Sequence, residues 1–252
     1  MFIVVPIKIV PDYKARLTLN ATQTGIAMQG VTMMINPLDA IALQAAVTIK
    51  KKHPQTNITA LFIAPETAKP QITESLALGA DQAIHITTDE THSSLSIAKI
   101  IKKVIEQQAQ VDLVLMGKQA IDTDACQTPQ MLGALLDWPT VCFISKLDID
   151  CKNRQLQADC EWDDGIVKAT TSLPAVISCD LRLNTPSPAS IMAILKAKQK
   201  SIQTIALPTL SLALTNNQPI LKLEKPPKRA APKKIQSIDE LVCIIQQSKD
   251  DR

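Results

Sequence analysis

Short apolar runs take turns along the chain with longer stretches in which apolar residues recur every three or four positions. The runs FIVVPIK, ITALFIA, AIHIT and VDLVLMG read as strands. Between them, LDAIALQAAVTIKKK has helical spacing and ends in three lysines, which favour a helix C-terminus. Asn36 stands before it as an N-cap and Pro37 at its first helical position. ETAKPQITESLALG predicts a second helix closed by Gly79, and SSLSIAKIIKKVIEQQAQ a third, capped near Ser93. After the fourth strand comes GKQAIDTDACQTPQMLGALLDWP, a polar loop with Asp122 and Asp124 that opens a helix near Gln127 or Thr128.

Strands separated by single helices imply parallel pairing through right-handed crossovers, an α/β parallel-sheet, Rossmann-like domain. Ligands in such sheets bind beyond the carboxyl ends of the strands, so the residues after Ile7, Ala64 and Gly117 are the candidate loops. Beyond Trp138, RQLQADCEWDDGIVKATTSL alternates around Asp163, Asp164 and Gly165 and predicts a hairpin insertion. PAVISCD is another strand and SPASIMAILKAKQK a short helix. From about Leu207 the pattern loosens, and KLEKPPKRAAPKK is too rich in Pro and Lys to pack. It recovers at SIDELVCIIQQ, where Ser237 and Glu240 have capping-box spacing. The expected division is a nucleotide-binding domain over 1–206 and an extended arm with a terminal helix over 207–252, the arm reaching across another subunit.

Composition removes several classes of function. With 252 residues, 46% of them hydrophobic, the chain has ample core for one large domain. A net charge of +3 gives no broad field for nucleic acid or a membrane, and 2% aromatics leaves few stacking platforms. No apolar run approaches a bilayer span. The start, MFIVVPIKIVPD, lacks a basic region and a cleavage site and reads as a first strand, which predicts a cytoplasmic protein, or one of the mitochondrial matrix in a eukaryote. Six cysteines are scattered without a CxxC and only three histidines are present, so no metal site or disulfide framework is expected; most thiols are expected to be small buried hydrophobes. Phosphate-loop, dinucleotide, nucleophile-elbow and zinc-protease motifs are absent, and six glycines cannot build a glycine-rich loop. No catalytic residue is expected.

The segments VPIKIVPDY, INPLDAIALQAA, ESLALGAD, VDLVLMGKQAIDTDACQT, QMLGALLDWP, LPAVISCDLRLNTP, KAKQKSI and KPPKR, in this order and spacing, resemble the beta subunit of the electron transfer flavoproteins. The resemblance implies an adenine-nucleotide alpha-hydrolase-like fold and a heterodimer with an alpha subunit. It implies FAD held mainly by alpha and a structural AMP held by beta. Electrons would pass from acyl-CoA and related dehydrogenases, as in fatty acid beta-oxidation, to a membrane quinone oxidoreductase, with no independent turnover by this chain.

The family's AMP loop maps onto Ala125, Cys126, Gln127, Thr128, Pro129 and Gln130, and on through Met131, Leu132, Gly133, Ala134, Leu135 and Leu136. A helix starting there offers free N–H groups and the positive end of its dipole to a phosphate. Asp122 and Asp124 are then expected to cap turns and fix the loop rather than move protons. Where the family commonly has Asn-Gln-Thr-Gly, this chain has Cys126, Gln127, Thr128 and Pro129, and the proline deletes one N–H. Further AMP contacts map to Pro6, to Asn36, Pro37, Leu38 and Asp39, and to Ile63. Tyr13 falls where the family places a tyrosine against the flavin, and Leu38 where an aromatic often lies near the same ring.

The segment from Asp180 to Lys200 matches the family's recognition loop for partner dehydrogenases. Ile191 takes the place of its leucine anchor and Met192 that of a common proline; Ile194, Lys196, Lys198 and Lys200 complete the docking set. The competing reading puts Ile191 and Ile194 on one buried helix face. Two other functions stay open: a bifurcating relative with a second FAD or NAD in place of AMP, and a stand-alone adenine-nucleotide-binding module.

Overall fold

The computed structural model describes residues 1–108, 110–214, 220–227, 229, 231–232 and 234–250. The first half is the predicted alternation: β1 (Phe2–Ile7), α1 (Pro37–Lys52), β4 (Asn57–Ala64), α2 (Lys69–Leu78), β5 (Gln82–Thr87), α3 (Ser94–Glu106), β6 (Leu113–Gly117) and α4 (Thr128–Leu136). Two short antiparallel strands, β2 (Ile9–Pro11) and β3 (Met33–Ile35), fill the stretch between β1 and α1. The second half adds β7 (Thr140–Asp150), β8 (Gln155–Trp162), β9 (Gly165–Ser172), β10 (Ala175–Cys179), α5 (Ile191–Ala197), β11 (Ile202–Ala206) and α6 (Ile238–Asp250).

The main sheet runs β11-β5-β4-β1-β6-β10-β7-β8-β9. All pairings from β11 to β7 are parallel, while β7, β8 and β9 are antiparallel and form the expected hairpin insertion. The inner strands β6 and β10 are buried along their whole length, as a parallel sheet covered on both faces requires. Successive residues of β1 serve opposite layers. Ile3, Val5 and Ile7 pack with α1 and α2, whereas Val4 packs with α3 and α4. The fold is therefore a three-layer, Rossmann-like α/β domain.

The chain divides into two compact units. The first holds residues up to Thr18 and then Ala27 onward through the α/β elements. It continues past position 206, because β11 pairs with β5 and Leu210 behind it is buried against the α3 layer. The second unit joins Leu19–Ile26, closed by an antiparallel bridge between Leu19 and Ile26, to the segment from Ile220 onward. Within it, the Leu223 N–H donates to the Gln23 carbonyl at 2.6 Å. Ser237 caps α6 as its spacing predicts, the Glu240 N–H donating to Ser237 Oγ at 3.2 Å, while Glu240 Oε2 reaches back one residue further and accepts from the Gln236 N–H at 3.0 Å.

Among the described residues no helix is long and apolar enough to cross a membrane. No group of His, Cys, Asp and Glu among them is placed to hold a metal ion. The thiols depart from expectation: only Cys160 and Cys179 are buried, Cys126, Cys142 and Cys151 are half-buried, and Cys243 is exposed.

Candidate functional site

The strand order reverses at β1. From it the chain winds outward to β4 and β5, then returns to place β6 on the other side. A crevice is expected at such a switch, beyond the carboxyl ends of the two strands. Here the backbone makes one. β1 pairs with β4 as far as Ile7↔Phe62, but its register with β6 covers only Ile3↔Leu113 and Val4↔Val114. Pro6, buried in β1 and lacking an N–H, lies beyond the point where that ladder stops.

Side chains from the start of α1 span the gap. Asp39 Oδ2 accepts from the Lys8 N–H at 2.9 Å, just past β1, and Oδ1 from the Gly117 N–H at 3.0 Å, at the end of β6. Burial pushes the Asp39 pKa up to about 6, against the lowering effect of those N–H groups, of Asn36 and of the Lys8 charge. Gly117 has to be glycine. A Cβ there would lie 2.5 Å from Asp39 Oδ1 and 2.7 Å from Leu38 Cβ.

Asn36 is fully buried and precedes α1 as predicted, but its side chain does not cap the helix. It is turned across to the loop after β6, where Nδ2 donates to the Gln119 carbonyl at 2.9 Å and Oδ1 accepts from the Ile121 N–H at 3.2 Å. That loop is tied further by Lys8, whose Nζ lies 2.6 Å from Asp122 Oδ2, and by Gln119 Nε2, which donates to Asp124 Oδ1 at 2.8 Å. Both acids are occupied in fixing the loop. Asp124 and Cys126 take positive φ, at 47° and 52°, which turns the chain sharply into α4.

α4 begins with Gln127 as its N-cap and without a side-chain cap. The Met131 N–H already closes onto the Gln127 carbonyl at 3.1 Å. The first-turn amides of Thr128 and Gln130 have no intrahelical acceptor, and Pro129 has no N–H. Gln130 Oε1 is buried with no hydrogen-bond partner among the described residues. An orphaned acceptor beside open amides fits a ligand that brings both donors and an anion. Further along, Leu132 and Gly133 face inward and Ala134 outward, so the later part of the mapped loop serves the core. Ile63 is half-buried near the end of β4.

The two residues that the resemblance maps beside a flavin separate. Tyr13 is 63% exposed with the Lys14 ammonium 5.7 Å from its ring centroid, whereas Leu38 is buried beneath Gly117. Only Tyr13 presents a free side chain.

The segment after β10 leaves the sheet through Asp180, which accepts from Lys118 Nζ at 2.7 Å. Burial works to raise its pKa, but the bonds from Lys118 and the Arg182 N–H outweigh it and hold it low. α5 is capped by Ser190 Oγ, which accepts from the Ala193 N–H at 3.2 Å. Ile191 is 78% exposed, Met192 63% and Ile194 41%, so these residues do not form a buried helix face; Ala197 holds α5 to the core instead. Lys196 and Lys198 are exposed. Lys200 is not part of that surface. Its Nζ donates to the Leu76 and Ala80 carbonyls at 2.9 and 2.6 Å, at the end of α2, and burial lowers its pKa.

A mostly parallel, Rossmann-like sheet with a loop and helix start beyond its switch point defines the three-layer α/β class, whose ligands bind outside the strand ends. The family model described as "Electron transfer flavoprotein domain" matches residues 23–210. Over 240 residues, 95% of each chain, the sequence is 38% identical to the electron transfer flavoprotein subunit beta of Dictyostelium discoideum. It is 38% identical to the mitochondrial subunit beta of Arabidopsis thaliana over 242 residues, 96% of each chain. It is 34% identical to the human subunit beta over 249 residues, 97% of this chain and 96% of that one. The chain belongs to the electron transfer flavoprotein family, in which it is a beta subunit, a protein of electron transport.

The residues that sequence reasoning missed are Lys8 and Gly117 as partners of Asp39, and Gln119 and Ile121 as partners of Asn36. The glycine at the end of VDLVLMG was visible, but no local pattern announced which side chain it makes room for.

Proposed function

We propose that this beta subunit pairs with an alpha subunit to hold one FAD between them and itself holds a structural AMP at the crevice between β1 and β6. The heterodimer carries electrons from acyl-CoA and related dehydrogenases to a membrane quinone oxidoreductase. The observation that carries the nucleotide reading is Gln130 Oε1, buried and without a partner among the described residues, in the open first turn of α4. The Thr128 and Gln130 amides would take the phosphate, and Oε1 would accept from a hydroxyl or amino group of the nucleoside. Asn36 and Asp39 are spent on the chain's own loops, so contacts from that region fall to its main chain.

FAD, when bound, supplies the redox chemistry. This chain's part is to offer Tyr13 toward the ring and to present α5 to dehydrogenases. Ile191 and Met192 form the exposed apolar anchor there, with Lys196 and Lys198 steering acidic partners. In the second unit, Ile238, Leu241, Val242 and Ile245 of α6 are exposed, and we assign that apolar side to the alpha subunit.

The test is expression with and without alpha. The chain alone should carry little flavin, and the heterodimer about one FAD and about one acid-releasable AMP. A stoichiometrically flavinated beta chain would refute the shared site. A heterodimer with two flavins and no AMP would favour the bifurcating reading.

A further inference from the structure

We propose that Asp39 is a positioning residue for the nucleotide: its carboxylate bridges main-chain N–H groups at the ends of β1 and β6 and so sets the width of the crevice, without touching the ligand. The proposal rests on the nucleotide reading above and adds how the chain holds that site ready. Three independent observations carry it. The β1–β6 ladder ends at Val4, so nothing in the sheet register fixes the separation of the two strand ends beyond that point. Each oxygen of Asp39 is engaged by a backbone N–H on a different side of the gap, at 2.9 and 3.0 Å. Asp39 is only 7% exposed, and its carboxylate fills the space that the missing Cβ of Gly117 leaves beside β6.

A carboxylate is needed because both partners are donors. An amide side chain would turn an NH2 group against one of the N–H groups. Protonation has a related effect, since a neutral carboxyl keeps one acceptor and presents an O–H to the other amide. Burial lifts the Asp39 pKa to about 6, so protonation falls within the range of an ordinary assay. The titratable and charged groups around it are accounted for. Lys8 is paired with Asp122, Lys118 with Asp180, and the Cys179 thiol at the end of β10 is pushed up by burial and by the Asp39 charge, so it stays neutral.

The experiment uses the purified heterodimer and two variants, Asp39→Asn and Gly117→Ala. The second breaks the same bridge from the β6 side while leaving the carboxylate in place. AMP release is timed by filtration and chromatography at several pH values between 5 and 7.5, and amide exchange is followed at positions 8 and 117. Both variants should release AMP at least tenfold faster at pH 7.5, and both amides should lose about tenfold in protection. The AMP phosphate itself titrates near pH 6. The diagnostic quantity is therefore the ratio of the Asp39→Asn rate to the wild-type rate, which should fall toward one as the pH drops to 5. A folded Asp39→Asn heterodimer with wild-type AMP release, or with full protection at both amides, overturns the proposal. A wild-type heterodimer without AMP at any pH removes the nucleotide reading, and amide protection then decides the bridge alone. If Asp39→Asn does not fold, protection of the two wild-type amides decides it: protection that stays undiminished as the pH falls from 7.5 to 5 overturns the bridge.

Discussion

Lys200 separates two roles that one sequence pattern suggests. With Lys196 and Lys198 it forms a row of cations on the docking segment, yet the structure turns its ammonium onto two carbonyls at the end of α2. Those groups include the orphan acceptors that every helix C-terminus leaves, and a cation there also meets the negative end of the dipole. A hydrogen bond to a charged donor contributes about 1.5–3 kcal/mol when buried. The Lys200 amine retains substantial solvent contact, so screening reduces the pair to a total of about 1–2 kcal/mol. Lys200→Ala should therefore lower stability by that amount, or roughly 2–8 °C in Tm at about 2–4 °C per kcal/mol for a chain of this size. Lys200→Met, which keeps the apolar stem, should lose the same bonds with less packing. The assay is thermal unfolding of the heterodimer beside dehydrogenase-coupled electron transfer at sub-saturating partner. Transfer rates should be unchanged in both variants, whereas Lys196→Ala and Lys198→Ala should slow association without moving Tm. A Lys200→Ala heterodimer with wild-type Tm and weakened docking would refute the reasoning.

Ile191→Ala should weaken dehydrogenase docking by roughly 1–3 kcal/mol, as for an aliphatic anchor lost from a pocket, while chemical reduction of the flavin is unaffected; unaltered coupled rates would remove the anchor. Gly133→Ala tests the seat of α4. Helix propensity favours alanine by about 1 kcal/mol, but its Cβ would fall 1.7 Å from Thr140 Oγ1 and 3.1 Å from Thr140 Cβ. Overpacking of this kind costs about 1–3 kcal/mol, so the variant should unfold at lower temperature, with partial recovery on adding Thr140→Ala. Pro129→Gly restores a first-turn N–H and should hold AMP at least as tightly as the wild type, as measured by the rate of nucleotide release.

Much of this architecture was legible in the sequence because its inner strands are continuous apolar runs and helices such as α3 and α6 open with recognisable side-chain caps. Ser93, which accepts from the Ser96 N–H, and Ser237 before α6 stand where their spacing put them. β11 was not legible: IQTIA is short, without regular alternation and mostly exposed, and it holds its place at the sheet edge by pairing with β5. β7 was hidden differently. It begins parallel beside β10 and continues antiparallel beside β8, with irregular register at Ile144, so TVCFISKLDID carries no single period. At the candidate site, the loop and the helix start could be placed from sequence, and Asn36 and Asp39 could be named. Their partners could not. Asn36 reaches Gln119 across 83 positions and Asp39 reaches Gly117 across 78, and such pairs exist only once the strand order is known.

Pro6 has a consequence for how this family can vary. Where a ladder stops short of a proline inside a sheet, the opening belongs to the polypeptide backbone and needs few particular side chains beyond the carboxylate of Asp39 that spans it. The groups then left to meet a ligand are largely peptide N–H and C=O, which every non-proline residue supplies alike. A binding site of this kind is insulated from most substitutions and exposed to only a few: loss of the bridging carboxylate of Asp39, a proline that removes a first-turn donor, as at Pro129, or a side chain added where glycine makes room, as at Gly117. Relatives that share only 34–38% of their residues with this chain can therefore keep the crevice while its lining changes.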